Sequence, residues 1–424
     1  MSNTLKFGNG EWATKDGSAL AYNDENNNFK PLPFDFTRAS SATVINRDGL
    51  IEKVGNNIPR IDFQDNTEGA MLLEPQSTNL ITQSEAFGNG YWTKSGSSVT
   101  SGFISPDGTL NAFKLVEDTS TSEHILYSST PTLTLGNDYT SSFYVKANGR
   151  DTITIKSYHQ NQWAINATFD LTTKVVTNTL GIGKIDELTN DWFRISVTGE
   201  CLITGSTLLW LNLGTNIQSY TGDGTSGIYL FGAQLEALAY PTSYIPTEGT
   251  VVTRLADTAS GAGNADTFND SEGVLMAEIS ALADDLTFRR FTISDNSYVN
   301  TIDILLTNSS NQIRVLIRDG SSTTSQISHT VNSIVESNKI AFKYKSGNNS
   351  LWINGLNVGN TSDTFTLPSL TDLSFDRGDG ANPFYGKTKQ LQYFNTILTD
   401  SELEELTSWS SFLEMAQALN YNII

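Results

Sequence analysis

Short runs of alternating apolar and polar residues recur through the middle of the chain, between residues 80 and 246. Short strands joined by polar turns at regular spacing are typical of β-sandwiches and jelly rolls. The pattern therefore predicts one such domain over residues 80–246. Its predicted strands are 110–116, 124–127, 139–147, 152–158, 163–169, 192–198, 207–213 and 228–235.

A second series of β patterns occupies residues 271–424, after a linker at 247–270. Asn354 and Gly355 follow one of its strands, and an Asn-Gly pair favours the positive backbone φ angles of a two-residue hairpin turn. These features predict a second β-sandwich. Its clearest strands are 302–306, 313–317, 340–344 and 351–353.

The last residues of the chain predict a short helix. Ser401 and Glu404 have the spacing of a capping box, in which a hydroxyl and a carboxylate satisfy the first backbone N–H groups of a helix. We expect the apolar face of this helix to dock on the second sandwich. That face comprises Leu403, Leu406, Trp409, Leu413 and Ala416.

Residues 1–34 predict a small three-stranded meander. Its apolar members are Leu5, Phe7, Trp12, Ala19 and Tyr22. A piece of this size is too small to be stable alone, so it should pack on a partner or on its own copies in an oligomer. The alternative is that these residues form the first strands of the following domain.

Residues 35–79 predict a rigid connector. The runs 42–46 and 50–54 flank an Asp-Gly pair and should form a hairpin. Arg38, Arg47 and Arg60 lie in or beside it, and their fixed guanidinium donors suit structural clamps that bind carboxylates or carbonyls. The sequence TRAS at 37–40 is echoed by TRLAD at 253–257. Arg254 is therefore expected to be a fourth clamp, with the two segments close together.

The charge of the chain narrows its possible partners. It has 26 Lys and Arg against 46 Asp and Glu, a net charge of -20, so nucleic acid and anionic lipid would be repelled. No export signal and no apolar run long enough to cross a bilayer is visible. Cys201 is the single cysteine, which excludes an intrachain disulfide and a thiolate metal cluster. We expect an all-β protein: a small N-terminal β segment, a connector, two sandwiches and a short C-terminal helix.

Several motifs together resemble known proteins. The sequences FTRAS at 36–40, DGL at 48–50, PR at 59–60 and LLEPQSTNL at 72–80 are similar to a segment common in bacteriophage tail and head fibre proteins. DWFR at 191–194 and LFGAQLE at 230–236 resemble the carbohydrate-binding-module jelly roll that follows this segment in such proteins. Residues 274–406, with WING at 352–355, resemble a concanavalin A-like, laminin-G-type sandwich. LKFGNGEW at 5–12 is similar to the start of fibres that attach by their N-termini.

The resemblance implies a structural protein of the virion surface, made in the host cytoplasm: a head or tail fibre or spike. Its N-terminus would join other virion proteins, and its sandwiches would bind host-surface glycans without inserting into a membrane. We expect a homotrimer, because small N-terminal strands and an amphipathic helix leave apolar surface for copies to bury. No cofactor is expected, although a structural calcium ion is plausible by resemblance to jelly-roll modules.

Strand alternation selects candidate sugar-binding residues, because successive side chains point to opposite faces of a sheet. Leu209, Leu211 and Leu213 predict a core face, which leaves Trp210 and Asn212 on the other. The same rule places Trp192 and Arg194 outward, and it also places Lys156 and Tyr158 outward. Trp163 belongs to the core by this rule. Flat aromatic rings with nearby polar groups suit sugar recognition. The alternative is that loops, the connector or a sister subunit cover this face.

Catalytic and metal sites have little support in the sequence. His124, His159 and His329 stand alone, and no carboxylate pair suited to glycoside cleavage can be singled out. The acidic loops at 222–224 and 376–380 lack the spacing of calcium loops and predict turns. The Arg-Gly-Asp triplet at 377–379 matches an adhesion tripeptide, which in a Gly-rich turn is most often a coincidence. A capsular polysaccharide depolymerase and a purely architectural spike remain the alternatives.

Overall fold

A computed structural model describes residues 3–64, 66–215 and 219–418 of the chain. About 50% of the residues are in strands and about 4% in helices, which confirms the all-β prediction. The chain forms two compact units. Unit 1 comprises Met1–Ala39, Gly55–Pro75 and Ala256–Ile424, and unit 2 comprises Ser40–Val54 and Gln76–Leu255.

The elements of the described residues are numbered in chain order. The strands are β1 (Leu5–Gly8), β2 (Thr14–Lys15), β3 (Ser18–Ala19), β4 (Tyr22–Asn23), β5 (Lys30–Pro31), β6 (Phe34–Thr37), β7 (Ala42–Ile45), β8 (Ile51–Val54), β9 (Arg60–Asp62), β10 (Ala70–Leu73), β11 (Ser77–Asn79), β12 (Thr93–Ser95), β13 (Ser97–Phe103), β14 (Ala112–Glu117), β15 (Thr121–Ser122), β16 (Ile125–Ser129), β17 (Asp138–Asn148), β18 (Thr152–Ser157), β19 (Asn166–Asp170), β20 (Val175–Leu180), β21 (Ile182–Glu187), β22 (Phe193–Glu200), β23 (Leu208–Leu213), β24 (Tyr220–Thr221), β25 (Gly227–Glu236), β26 (Val252–Arg254), β27 (Thr258–Ser260), β28 (Glu272–Ala281), β29 (Arg289–Ser294), β30 (Thr301–Leu306), β31 (Gln312–Asp319), β32 (Ser322–Thr330), β33 (Asn338–Lys345), β34 (Asn349–Ile353), β35 (Leu356–Thr361), β36 (Asp372–Ser374) and β37 (Gly386–Phe394). A 3-10 turn spans Glu25–Asn27, and the α-helices are α1 (Asp400–Thr407) and α2 (Phe412–Ala418).

Unit 2 is a sandwich of two six-stranded antiparallel sheets. The first has the order β12-β16-β23-β18-β19-β20, and the second has the order β13-β14-β25-β17-β22-β21. Side chains from both sheets form one core, in which Trp163, Phe169 and Leu211 are fully buried. The core position predicted for Trp163 is therefore confirmed.

Sequence alternation identified the central strands of unit 2 but not its edge strands. β13, β20 and β21 lie at or next to sheet edges, and their side chains are mostly exposed or half-buried. Because an edge strand does not need an apolar face, it shows little alternation of apolar and polar residues.

Unit 1 is a second sandwich. One sheet of ten strands has the path β35-β34-β33-β28-β37-β1-β4-β5, with β10 and β9 also joined through β37. The other sheet has the order β32-β31-β30-β29-β36. Asn354 and Gly355 have φ angles of 51° and 84°, so the predicted hairpin turn between β34 and β35 is confirmed.

The N-terminal residues belong to the core of unit 1. β1 pairs with β37, with Phe7 opposite Leu391. Leu5, Phe7, Ala19 and Phe34 are at most 1% exposed and pack in the core of the sandwich. Residues 1–34 thus contribute strands to a sandwich, as the alternative expected, but to the second sandwich and not to the next domain along the chain. The four apolar side chains are buried within the chain itself.

The predicted connector is shared between the two units. The hairpin of β7 and β8 forms as predicted and lies in unit 2, with Gly49 at a φ of 74° in its turn. Residues 36–39 and 55–75 lie in unit 1. There β6 pairs with β27, which directly follows the second echoed segment, and Thr37 lies opposite Thr258. Arg38 of the first echoed segment binds Asp257 of the second, so the two segments lie close together.

The predicted helix is present but begins and ends differently. Its N-cap is Thr399, whose hydroxyl and Glu402 form the capping box, two residues before the predicted pair. Ser408 has an extended conformation and separates α1 from α2, so the prediction of one continuous helix is wrong. Leu403 packs against Met276, Ala341 and Trp352, which confirms docking on the sandwich. In the described residues no helix is both long and apolar enough to cross a membrane.

Candidate functional site

The candidate site lies on the outer face of the first sheet of unit 2. Strand register places Tyr127, Trp210, Lys156 and Asn166 in one row across β16, β23, β18 and β19. The next row holds Ile125, Asn212, Thr154 and Thr168. The intervening leucines of β23 are at most 2% exposed, so the predicted division of this strand into a core face and an outer face is confirmed.

Three aromatic rings gather on this face. The ring centroids of Tyr158 and Trp210 are 5.0 Å apart, at an interplanar angle of 32°. Tyr127 lies on the other side, 6.0 Å from Trp210. Tyr158 is 53% exposed and Trp210 is half-buried, so part of this aromatic surface faces solvent. Partly exposed aromatic rings suit the apolar face of a pyranose.

A charged pair lies beside the rings. The Nζ atom of Lys156 is 4.9 Å from the ring centroid of Trp210, within cation–π range. The same nitrogen is 3.3 Å from Oε1 of Glu123, whose side chain is 32% exposed. The carboxylate of Glu123 therefore balances the charge of Lys156.

Three buried polar atoms of this face lack a hydrogen-bond partner. They are Oδ1 of Asn166, Oδ1 of Asn212 and Nε1 of Trp210. Both asparagines are 3% exposed. Since buried polar groups normally find partners, the two carbonyl oxygens can accept hydrogen bonds from a ligand or ordered water, and the indole N–H can donate one.

Trp192 and Arg194 lie on the other sheet of unit 2 and are covered. Trp192 is 3% exposed and packs with Ile51 of the hairpin and with Tyr244. Arg194 donates to the carbonyl oxygen of Thr242 at 2.7 Å. The two residues thus have the covered environment foreseen in the alternative reading and present no accessible surface to a sugar.

Two predicted clamp arginines share a buried carboxylate in unit 1. Arg38 Nη1 lies 3.1 Å from Oδ1 of Asp257, and Arg60 Nη2 binds Oδ2 of the same residue. Arg60 also binds Glu74 at 2.6 Å. Burial alone would lower the pKa of Arg60, but the charges of Asp257 and Glu74 outweigh this effect and raise the pKa above its usual value. The sequence identified the arginines but not their acidic partners, whose only signal was their position inside the echoed and fibre-like motifs.

The other two predicted clamps lie in unit 2. Arg254 is 1% exposed on β26, and its Nη1 donates to the carbonyl oxygen of Leu255 at 3.4 Å. Arg47 is exposed in the turn between β7 and β8. The buried arginines have the environment expected of structural residues, and the clamp role of Arg47 stays a prediction.

The remaining candidates occupy structural positions. Trp352 is 7% exposed beneath α1. His124 is fully buried between the carbonyl oxygens of Gly96 and Tyr220. Arg377 and Asp379 of the Arg-Gly-Asp triplet bind each other, at 2.6 Å, instead of pointing apart.

The acidic loops use their carboxylates within their own turns. Asp223 accepts from the hydroxyl of Ser226 and from the backbone N–H groups of Ser226 and Thr225, and these bonds lower the pKa of its carboxyl. Asp376 accepts from the backbone N–H groups of Gly378 and Gly380. Within the described part of the chain, no group of three His, Cys, Asp or Glu side chains has an arrangement suited to a metal ion.

A buried ion pair in unit 1 predicts a pH-dependent stability. Asp303 is fully buried and lies 3.0 Å from Nη1 of Arg290. Burial outweighs the favourable charge of Arg290 and raises the pKa of Asp303 from 3.8 to about 6. A carboxyl whose pKa is raised by folding stabilises the folded state below its unfolded pKa and loses that contribution as pH rises through its folded pKa.

We therefore expect the free energy of unfolding to fall by about 3 kcal/mol between about pH 4 and about pH 7, relative to the variant Asp303→Asn. Urea denaturation of both proteins at each pH measures this difference. Parallel pH profiles for the two proteins would contradict the prediction.

Comparisons with known proteins give distant likenesses. No family model and no curated protein matches the chain. Among solved structures, the CBM40 module of a Ruminococcus gnavus sialidase bound to α2,3-sialyllactose is 15% identical, with a TM-score of 0.31, covering 35% of this chain and 94% of the module. Mouse laminin α1 domains LG4-5 are 11% identical, with a TM-score of 0.25, covering 65% of this chain and 86% of the laminin chain. Sialidase from Trypanosoma rangeli is 11% identical, with a TM-score of 0.28, covering 97% of this chain and 85% of the sialidase. Values of this size do not bear on the function of this chain.

Proposed function

We propose that unit 2 binds glycans through the outer face formed by Tyr127, Lys156, Tyr158 and Trp210. The observation that carries this proposal is the adjacent and partly exposed pair of Tyr158 and Trp210, at a centroid distance of 5.0 Å. Carboxamides with unmet hydrogen-bonding capacity lie beside the rings. This combination supplies an apolar platform for a sugar ring and polar partners for its hydroxyl groups.

Trp210→Ala should weaken glycan binding at least about tenfold, because it removes the centre of the platform. A glycan microarray, followed by titration of the bound oligosaccharides, measures the loss. Phe29→Ala is a matched control, since it removes a 70% exposed aromatic ring from unit 1. Equal binding by the wild type and Trp210→Ala would contradict this site, and the absence of any glycan binding would favour a purely architectural role.

We propose further that the protein is displayed on a bacteriophage virion, as a head or tail fibre or spike. The sequence resemblance of residues 36–80 to phage fibres supports this role. The buried network of Arg38, Arg60, Glu74 and Asp257 gives these motif residues a structural reason to occur together. Electron microscopy of virions labelled with an antibody against this chain would locate it, and unlabelled particles would contradict the proposal.

We also propose that the protein is a homotrimer, although fewer apolar residues support this assembly than the sequence suggested. The N-terminal apolar residues are buried within unit 1 and do not call for a second copy. Phe412 and Leu413 of α2 are 73% and 51% exposed, and these side chains support assembly through the C-terminal helices. A mass near 46.3 kDa by light scattering at micromolar concentration would show a monomer instead.

We propose that binding occurs without catalysis. The histidine and carboxylate side chains described above serve turns, buried hydrogen bonds or ion pairs, which supports a binding role. Incubation of the protein with host capsular polysaccharide should release no new reducing ends. Their appearance would favour the depolymerase alternative.

A further inference from the structure

We infer that the site on unit 2 selects neutral glycans over glycans that carry a carboxylate or a sulfate, and that Glu123 sets this preference. This inference rests on the proposed function and concerns the class of ligand. It follows from the arrangement of Glu123, Lys156 and the two buried asparagines around the ring of Trp210.

A ligand at this face would meet the charged pair of Lys156 and Glu123. Lys156 is the basic residue in the central row of this face, and its Nζ atom lies 3.3 Å from Oε1 of Glu123. An acidic sugar would need this ammonium group for a charge-assisted hydrogen bond. It would have to displace Glu123 first, and it would approach a chain with a net charge of -20.

Three polar atoms around the Trp210 ring lack a hydrogen-bond partner. Two are the carbonyl oxygens of Asn166 and Asn212, which flank the central strand β18 on β19 and β23, and the third is the indole Nε1 of Trp210. The indole N–H can donate to a hydroxyl or to an anion, whereas the two carbonyl oxygens only accept. A sugar hydroxyl can donate to these oxygens, but an ionised carboxylate or sulfate has no hydrogen to donate. The two oxygens therefore match hydroxyl groups better than anions.

Lys156 has a structural role beside the ring of Trp210. Its side chain is 7% exposed, and its ammonium group lies over the ring of Trp210. A cation over one part of the indole, with its charge balanced by Glu123, fixes the ring without creating a free positive charge for the ligand. Removing the Glu123 carboxylate should therefore take away the negative charge that offsets Lys156 beside the site.

The test compares matched neutral, sialylated and sulfated oligosaccharides on a glycan microarray. The wild type should bind neutral members at least about tenfold more tightly than their acidic counterparts. Glu123→Gln should raise the affinity for acidic members about tenfold or more, and Asn212→Ala should lower the affinity for neutral members. Glu187→Gln, which removes the carboxylate of the exposed Lys174–Glu187 pair in the same unit, should change neither preference.

The possible outcomes separate this inference from the proposed function. If the wild type prefers acidic glycans and Trp210→Ala abolishes that binding, the inference is overturned and the proposed function stands. An unchanged preference in Glu123→Gln would overturn the role of Glu123. Binding of no glycan by the wild type would overturn the proposed function itself.

Discussion

Replacing Asp257 with alanine is expected to lower the free energy of unfolding of unit 1 by about 3–5 kcal/mol. The side chain of Asp257 is fully buried and binds two guanidinium groups, those of Arg38 and Arg60. It also accepts from the backbone N–H of Glu74 at 2.8 Å. Removing one partner of a buried ion pair leaves uncompensated charge in a medium of low dielectric constant, which costs more than an exposed pair contributes.

Scanning calorimetry is a suitable measurement for Asp257→Ala, because two compact units can unfold in separate transitions. Glu405→Ala removes an exposed carboxylate from the same unit and should change stability by less than about 0.5 kcal/mol. Arg38→Ala should destabilise in the same direction as Asp257→Ala, and glycan binding of the folded fraction should remain. A variant as stable as the wild type would show that the network is not a clamp.

Phe7→Ala is expected to lower the stability of unit 1 by a similar amount, about 3–5 kcal/mol. Phe7 is 1% exposed, and its ring centroid lies 5.1 Å from that of Phe34 and 6.2 Å from that of Phe375. Alanine would leave a cavity among these rings, which a close-packed core fills only partly.

The control for Phe7→Ala is Phe29→Ala in the same N-terminal segment, where the ring is 70% exposed. The control should change stability by less than about 0.5 kcal/mol. A pair of equally mild effects would mean that residues 1–34 form a separate attachment segment, as the resemblance to fibre N-termini suggested, and not a part of the sandwich.

The local pattern of apolar, polar and turn-forming residues was sufficient to predict much of the fold. β22 alternates between apolar and polar residues over most of its length, and β23 has leucine at every second position; both strands form close to the predicted positions. The Asn354-Gly355 turn was predictable because few residue pairs adopt two positive φ angles. The start of α1 was misplaced, because Thr399 and Glu402 have the same spacing as Ser401 and Glu404 and only the geometry distinguishes them.

The candidate site was predictable in part. Alternation along β23 placed Trp210 and Asn212 on the outer face, and Tyr158 joins them. The same rule applied to Trp192 and Arg194 gave a face that is covered, because residues far along the chain pack on it. Lys156 was placed outward by the pattern, but its partner Glu123 lies before a different strand and could not be paired with it from sequence.

By itself, the sequence determined the strand-rich class, the hairpin turns, the separation of core and outer residues along central strands, and the arginines of the connector. These properties depend on side-chain period and on backbone conformations of neighbouring residues, which are local. Only the tertiary structure decided that β1 completes the sheet beside β37, that Asp257 joins Arg38 and Arg60, and that Tyr158, Trp210, Lys156 and Glu123 share one face. Those contacts join residues that are distant in the chain, and strand pairing and burial bring them together.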